Sequence, residues 1–363
     1  MYTNRGPGCS SVGGGFLSEL GAFLPKPDGK TLQANPYAWN KVASTLFVDS
    51  PAFVGWSYSE NPKDAIVGDA RTSTVYAGHY VPNLAWTVVQ GNQEAGGKGQ
   101  PGYLNLMGIM VGNPWTDPAV DNKGAVDYWW SHALIGDDVF AGINDNCDFS
   151  SVGPLDAHPT VAQPVTKEEL CNSFCGKAFE DLSNINIYHI YADVCPPARV
   201  SAPARALLHV MQRQNLPLQS GSSSSSSMAG KPAVRRSALG VADTEDDDGD
   251  SGGPATEYDA CIDNEVEAYL NQPDVQRALH ANVTGKLPGP WQDCSSSVVY
   301  SYEDLLTSML PVWHNLLSTG GLRFLVYSGD VDGIVPVVGT RRWGTLLPFI
   351  HHQYWRPLQD SIF

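Results

Sequence analysis

The chain has 363 residues and 42% hydrophobic content, enough to bury a sizeable core, so disorder of the whole molecule is excluded. With 22 basic against 38 acidic residues its formal net charge is −16, which argues against electrostatic capture of nucleic acid or of an anionic membrane surface. Charged residues make up 17%, below the roughly 25% of an ordinary domain, while Gly and Pro number 36 and 26; this suggests a loop-rich protein of an exocytic or vacuolar kind.

Along the chain, short apolar runs ending in turn residues read as buried parallel strands: Ala43 to Val48, Leu104 to Val111 and Leu322 to Tyr327. Helical patterns alternate with them. Pro273 opens a helix through Leu279, at a position where the missing amide hydrogen costs nothing. Ser301 with Asp304 reads as a capping box for a helix that runs to Leu317, kinks at Pro311 and ends before Gly320-Gly321. This alternation indicates an α/β core contributed by two stretches of chain, residues 1–126 and residues 258–363. Residues 127–216 carry aromatic and cysteine-bearing helical pieces and read as a helical cap insertion. Residues 217–257 hold a serine run, Arg235-Arg236 and the acid cluster 245–248, a composition that cannot offset its own ordering entropy and reads as a disordered linker.

Seven cysteines at scattered spacings without paired C-x-x-C sets fit a disulfide framework better than a zinc site, and one thiol is left over. No stretch approaches the ~18 apolar residues of a membrane span. Met1 to Ser10 lacks the apolar core of a signal peptide, so the sequence asks for an oxidising compartment without a visible route to it, as an incomplete version of something longer would.

Four segments carry chemistry. Asn4-Arg5-Gly6-Pro7-Gly8-Cys9-Ser10-Ser11 packs glycines that let backbone amides approach a ligand and stabilise a developing oxyanion. Residues 35–59, NPYAWNKVASTLFVDSPAFVGWSYS, lead a strand into a Pro-Gly turn. Tyr76-Ala77-Gly78-His79-Tyr80-Val81-Pro82 opens a helix, and Tyr327-Ser328-Gly329-Asp330-Val331-Asp332 ends a strand in paired acids.

In this order the four segments resemble the serine carboxypeptidase family, which reads N-G-G-P-G-C-S-S, then S-W-N-x-x-A-N-x-L-F-x-E-S-P-A-G-V-G-F-S-Y-S, then G-E-S-Y-A-G-H-Y-V-P, then Y-S-G-D-x-D. Residues 108–118 (GIMVGNPWTDP), 127–130 (DYWW), 190–195 (IYADVC) and 278–284 (ALHANVT) add to the likeness, which is nearest the plant-like two-chain branch. The resemblance implies an α/β-hydrolase with a helical cap whose relatives release C-terminal residues from peptides with a Ser-Asp-His triad.

Carried over residue by residue, it implies Gly6 and Tyr76 as oxyanion-hole donors, Asn4 and Glu19 as ligands of the substrate's terminal carboxylate, and Asp332 as the acid that orients the histidine. The nucleophile position is Val75, and Thr74 replaces the family glutamate beside it. Arg5 replaces a glycine, where its cation either attracts a carboxylate or fills the pocket. Between Gly68-Asp69-Ala70-Arg71-Thr72 and Tyr76 stand three residues, where the family has a helix and a buried strand. The family's later histidine segment does not follow Phe363, and the elements before its N-G-G-P motif are absent, so the expectation is a truncated and internally deleted member that lacks the elbow strand, with open sheet edges and marginal stability. None of the nine histidines has the required context: His351 and His352 follow Asp332 too closely, and His79 belongs to a packed helix.

By the family's spacing the disulfides are Cys9–Cys294, Cys147–Cys171 and Cys195–Cys261, with Cys175 as the odd thiol. Residue 282 opens an Asn-Val-Thr glycosylation sequon. The resemblance implies no cofactor and no metal, peptides with a free carboxylate as ligands, neither nucleic acid nor membrane as partner, a homodimer as one permitted assembly, and secretion or a vacuolar or lysosomal address. A non-catalytic peptide or carboxylate binder is the second reading; an acyltransferase of the same fold is a third, and it needs the same triad.

Overall fold

The computed structural model describes residues 1–3, 8–68, 76–150, 166–195, 259–285, 287, 289–301, 304 and 306–348. In chain order, a wide helical segment Ser11–Glu19 precedes strands β1 (Phe23–Pro25), β2 (Leu32–Ala34) and β3 (Ile66–Val67). Helix α1 (Tyr76–Glu94), strand β4 (Gly108–Gly112) and helices α2 (Pro118–Ser131), α3 (Asp137–Asn146) and α4 (Lys167–Leu182) follow. Helices α5 (Ile262–Leu270) and α6 (Pro273–Ala278), strand β5 (Val299–Tyr300), helix α7 (Leu310–Ser318), strand β6 (Arg323–Tyr327) and helix α8 (Val337–Gly344) complete it. No helix among the described residues is long and apolar enough to cross a membrane. The linker 217–257 lies outside the described residues.

β4 and β6 pair in parallel from Gly108↔Arg323 to Gly112↔Tyr327. Alternation along β4 turns Ile109 and Val111 inward, where they join Ala85 of α1, Trp313 and Leu316 of α7, and Trp343 and Leu347 in or just after α8. Trp313 and Trp343 are fully buried with ring centroids 5.9 Å apart. The other side of this pair stays open: Met110 and Leu325 are 48% and 50% exposed. β3 pairs only with β5, again in parallel, so the parallel strands among the described residues form two separate pairs. Parallel strands are ordinarily covered on both faces, and a two-stranded sheet gains little by itself.

The segment Ala43 to Val48 is not a strand: among the described residues Phe47 makes a single parallel bridge to Tyr2, with Tyr2 N–H donating to Leu46 and Val48 N–H to Tyr2. One bridge does not build a ladder, and Leu46 is left exposed. The helix expected from Ser301 to Leu317 instead begins at Leu310, after non-helical residues 306–309. Pro311 sits in its first turn, where its fixed φ suits the helix start and its missing N–H costs nothing, so it initiates the helix and does not kink it.

Helices α2, α3 and α4 pack around Val126, Trp129, Ile143, Cys171 and Ala178. α4 starts at a complete capping box, Thr166 with Glu169. α2 is fixed against α8 at Gly124 and Gly339, where a Cβ on Gly124 would lie 2.5 Å from the Gly339 Cα; only glycine permits that approach. Beside the crossing, Asp121 is 3% exposed. Its Oδ2 accepts from the backbone N–H groups of Thr116 and Asp117 at 2.6 and 2.9 Å, closing the first turn of α2, and its Oδ1 finds no donor among the described residues. Burial pushes this carboxyl up to about 7, against the two N–H bonds that pull it down.

The three cystine bridges are Cys9–Cys294, Cys147–Cys171 and Cys195–Cys261, with Cys175 outside them. The first spans 285 residues, so it constrains the unfolded chain strongly. Trp313→Ala should cost about 3–5 kcal/mol in urea unfolding, by emptying the space between α7 and α8. Because the folded-state value of Asp121 lies above its ordinary 3.8, the group favours folding most when protonated, and its contribution falls as pH rises from about 4 to about 7. Asp121→Asn, which imitates the protonated acid, should flatten the fall in melting temperature over that window.

Candidate functional site

The paired acids stand in the loop after β6, and the loop is held from three sides. Asn113, at the end of β4, donates from Nδ2 to Ser328 Oγ at 3.1 Å and to the Val335 carbonyl at 3.2 Å, while its Oδ1 accepts from Gly329 N–H at 2.9 Å. Its φ of 40° is one that Asn tolerates better than most residues. From α2, the Tyr128 hydroxyl donates to the Asp330 carbonyl at 2.8 Å and the Trp129 indole N–H to the Gly333 carbonyl at 2.7 Å. From the segment after α4, Ile190 N–H donates to Val331, and Gly333 N–H donates to Ile187. A Cβ on Gly333 would press on Ile187 at 3.0 Å, so the glycine allows this contact.

Within that frame the Asp332 carboxylate accepts from Ile334 N–H at 2.8 Å and Val335 N–H at 3.3 Å through Oδ1, a turn-forming arrangement that fixes the side chain relative to its loop. The Tyr128 phenol is pushed up to about 12, first by burial and then by the negative charge that ionised Tyr191, Asp332 and Asp330 place beside it. It therefore serves as a hydrogen-bond donor at any physiological pH.

Glu19 ends the wide helix, whose i→i+5 pattern continues in the Leu20 N–H bond to Gly15. Its Oε2 accepts from the Tyr2 hydroxyl at 2.7 Å, and the Tyr2 ring rests against Phe47 with centroids 5.5 Å apart. Upstream, Asp49 gathers Ser10 Oγ at 2.7 Å, Val12 N–H and Trp56 N–H. Burial raises this carboxyl and the hydrogen bonds lower it again. Asp49 thus ties the Gly-rich segment carrying Cys9 to the Pro-Gly turn.

Tyr76 opens α1 among the described residues. Asn4, Arg5, Gly6, Thr74 and Val75 lie outside the described residues, as do His351 and His352. His79 is fully buried in α1 and stacked on Trp115 at 5.4 Å, a packing residue. Asn282 has a φ of 49°, and its Nδ2 donates to Gln276 Oε1 at 3.3 Å.

Sequence reading missed Asn113, Tyr128, Tyr2 and Asp49 as site-building residues. The signal for Asp49 was present, since it stands at the acid of the family's L-F-x-E-S-P run, and Asn113 lies inside the GIMVGNPWTDP likeness; nothing local marks Tyr2, or shows that the partners of Tyr2 and Asn113 lie 17 and more than 200 residues away. Asn113→Gly keeps the backbone free to adopt its conformation and removes the clamp. It should lower stability by about 1–3 kcal/mol in denaturant unfolding, with the loss absent if the clamp contributes nothing.

The serine carboxypeptidase family model matches residues 2–75 and 72–361, in two pieces that meet at 72–75. Serine carboxypeptidase-like 26 of Oryza sativa subsp. japonica is 34% identical over 94% of this chain and 66% of its own length. Serine carboxypeptidase-like 34 of Arabidopsis thaliana is 36% identical with the same coverage, so the chain spans about two thirds of these relatives. Serine carboxypeptidase-like 26 of Arabidopsis thaliana is 33% identical over 99% of this chain and 72% of its length. Among solved structures, Kex1(delta)p, a prohormone-processing carboxypeptidase from Saccharomyces cerevisiae, superposes with a TM-score of 0.59 at 18% identity, covering 93% of this chain and 66% of that one. That likeness carries the fold, and with the family model spanning nearly all residues the chain belongs to the serine carboxypeptidase family and has its α/β-hydrolase fold.

Proposed function

We propose that this chain, as written, holds peptide C-termini in a serine carboxypeptidase frame without hydrolysing them. The observation that carries the reading is Val75 at the nucleophile position: a branched hydrocarbon has no lone pair with which to attack a carbonyl. The junction of the two family matches at residues 72–75 supports it, because it falls where Gly68 to Thr72 runs directly into the Tyr76 helix.

What remains is recognition. The Tyr76 amide and Gly6 offer backbone donors, which tolerate side-chain change. Asn4 and Glu19 receive the terminal carboxylate, with Thr74 standing where the family has the second acid of the pair. The Tyr2 hydroxyl on Oε2 fixes the orientation of Glu19 for that contact. Asp332 retains its place in a braced loop as the acid of an incomplete triad. The disulfides support an oxidising compartment, secreted or vacuolar.

The purified chain treated with a fluorophosphonate probe should show no serine adduct above the denatured-protein background. Removing the nucleophile should lower peptide turnover by on the order of 10⁶ relative to an intact family member. In parallel, a peptide with a free C-terminal carboxylate should quench tryptophan fluorescence more strongly than its C-terminal amide. A serine adduct refutes the catalytic side of the proposal, and equal response to acid and amide refutes the binding side.

A further inference from the structure

Asp121 stands between the two chain segments that hold the acid-bearing loop. Its Oδ2 accepts from Thr116 and Asp117, just past the Asn113 clamp. On its other side lies Gly339, in the first turn of α8, which follows the loop directly. A Cβ added at Gly339 would lie 2.5 Å from Asp121 Oδ1, so this oxygen faces a helix backbone at close range. It has no donor there among the described residues, and the Thr340 hydroxyl, next along α8, is fully buried and likewise unpartnered among them. An ionised Asp121 therefore leaves a charged oxygen without a hydrogen bond in a buried place, whereas the protonated acid leaves only a neutral group there, at much smaller cost.

We propose that Asp121 is a proton-operated latch: while it carries its proton the α2–α8 crossing stays shut and the acid-bearing loop is held, and when it ionises the crossing opens to hydrate it and the loop is released. The proton passes to solvent and no other group changes state. Two elements carry the effect to the loop. α2 bears Tyr128 and Trp129, whose donors hold the Asp330 and Gly333 carbonyls, and α8 continues from Val335, whose N–H donates to Asp332. Parting the two helices pulls on one set of loop contacts or the other. The latch acts on the fold and holds with or without peptide hydrolysis.

The charged groups around the crossing leave control with Asp121. Asp117, the N-cap of α2, adds a negative charge that opposes its ionisation. Asp127 of α2 pairs with Lys123 of the same helix and with Arg342 of α8. Arg341 of α8, Asp137, Asp138 and Asp145 of α3, and Asp148 beyond it are exposed. From α1, His79 stacks on Trp115, and in the loop Asp332 is engaged by backbone N–H groups while Asp330 is exposed. Burial holds the closed carboxyl at about 7 against an ordinary 3.8, to which opening returns it, so opening becomes easier as pH rises from about 4 and levels off above about 7.

The test is amide hydrogen exchange on the intact chain, read by mass spectrometry between about pH 4.5 and about pH 6.5 and corrected for the intrinsic chemical rate. Residues 116–117, 328–335 and 339–344 should exchange about tenfold faster per pH unit, the mark of one proton released on opening, while the intrahelical amides of α1 stay unchanged. Asp121→Asn, which has no proton to lose, should exchange in the same segments at a rate that does not vary with pH. Two results in the wild-type chain overturn the proposal and need no variant: a corrected rate that is flat with pH in those segments, or one that rises equally in α1, which marks global unfolding. A slope that persists in the folded Asp121→Asn chain overturns it as well.

Discussion

The carboxyl end of the sheet depends on one long-range pairing, β4 against β6, between segments more than two hundred residues apart. Such a pairing brings a large loop-closure cost and needs compensation from burial. Trp313, Trp343, Leu316 and the inward residues of β4 supply that burial on one side only. Asn113 then joins the ends of the two strands through its side chain, at the point where the chain leaves the sheet to form the acid-bearing loop. If this strand pair were to slip, Asp330 and Asp332 would lose both their platform and their bracing by Tyr128 and Trp129.

The separation of the parallel strands into two pairs changes what holds the rest together. A continuous sheet shares hydrogen bonds across neighbours; here that role passes to helix packing and covalent links. The Gly124–Gly339 crossing locks α2 to α8, and the cystine from Cys9 to Cys294 joins the Gly-rich segment to the far end of the chain. Asp49 and Asp121 act similarly, each an acid that gathers backbone amides, Asp49 from Val12 and Trp56 together with the Ser10 hydroxyl and Asp121 from Thr116 and Asp117 through Oδ2. Buried acids of this kind make stability depend on proton uptake.

Fold and chemistry diverge in this molecule. Backbone features persist: an amide at the start of α1, a braced loop after β6 and three cystines at the family's spacing. These need only correct chain path and survive considerable side-chain change. Catalysis by contrast requires one particular oxygen at one position, and the proposal of a non-hydrolysing chain rests on Val75 standing there. A family can therefore be recognised from a chain whose reaction is in doubt.

Ordered motifs in the sequence determined the family resemblance, which in turn implied the disulfide pairing, and apolar runs closed by turn residues determined the presence of β4 and β6. The sequence also determined the chemical deficit, since a residue's lack of a lone pair is visible without coordinates. Local pattern failed at Ala43 to Val48, where an apolar run found only the Tyr2 bridge, and at Pro311, where a residue that kinks one helix instead starts another. Both outcomes depend on what lies alongside in space. Only the tertiary structure decided that Asn113 would clamp the acid loop, that Tyr2 would reach Glu19 and that Asp121 would lose its water. Each is a contact or a loss of solvent set by elements brought together on folding, and no periodicity in the chain records it.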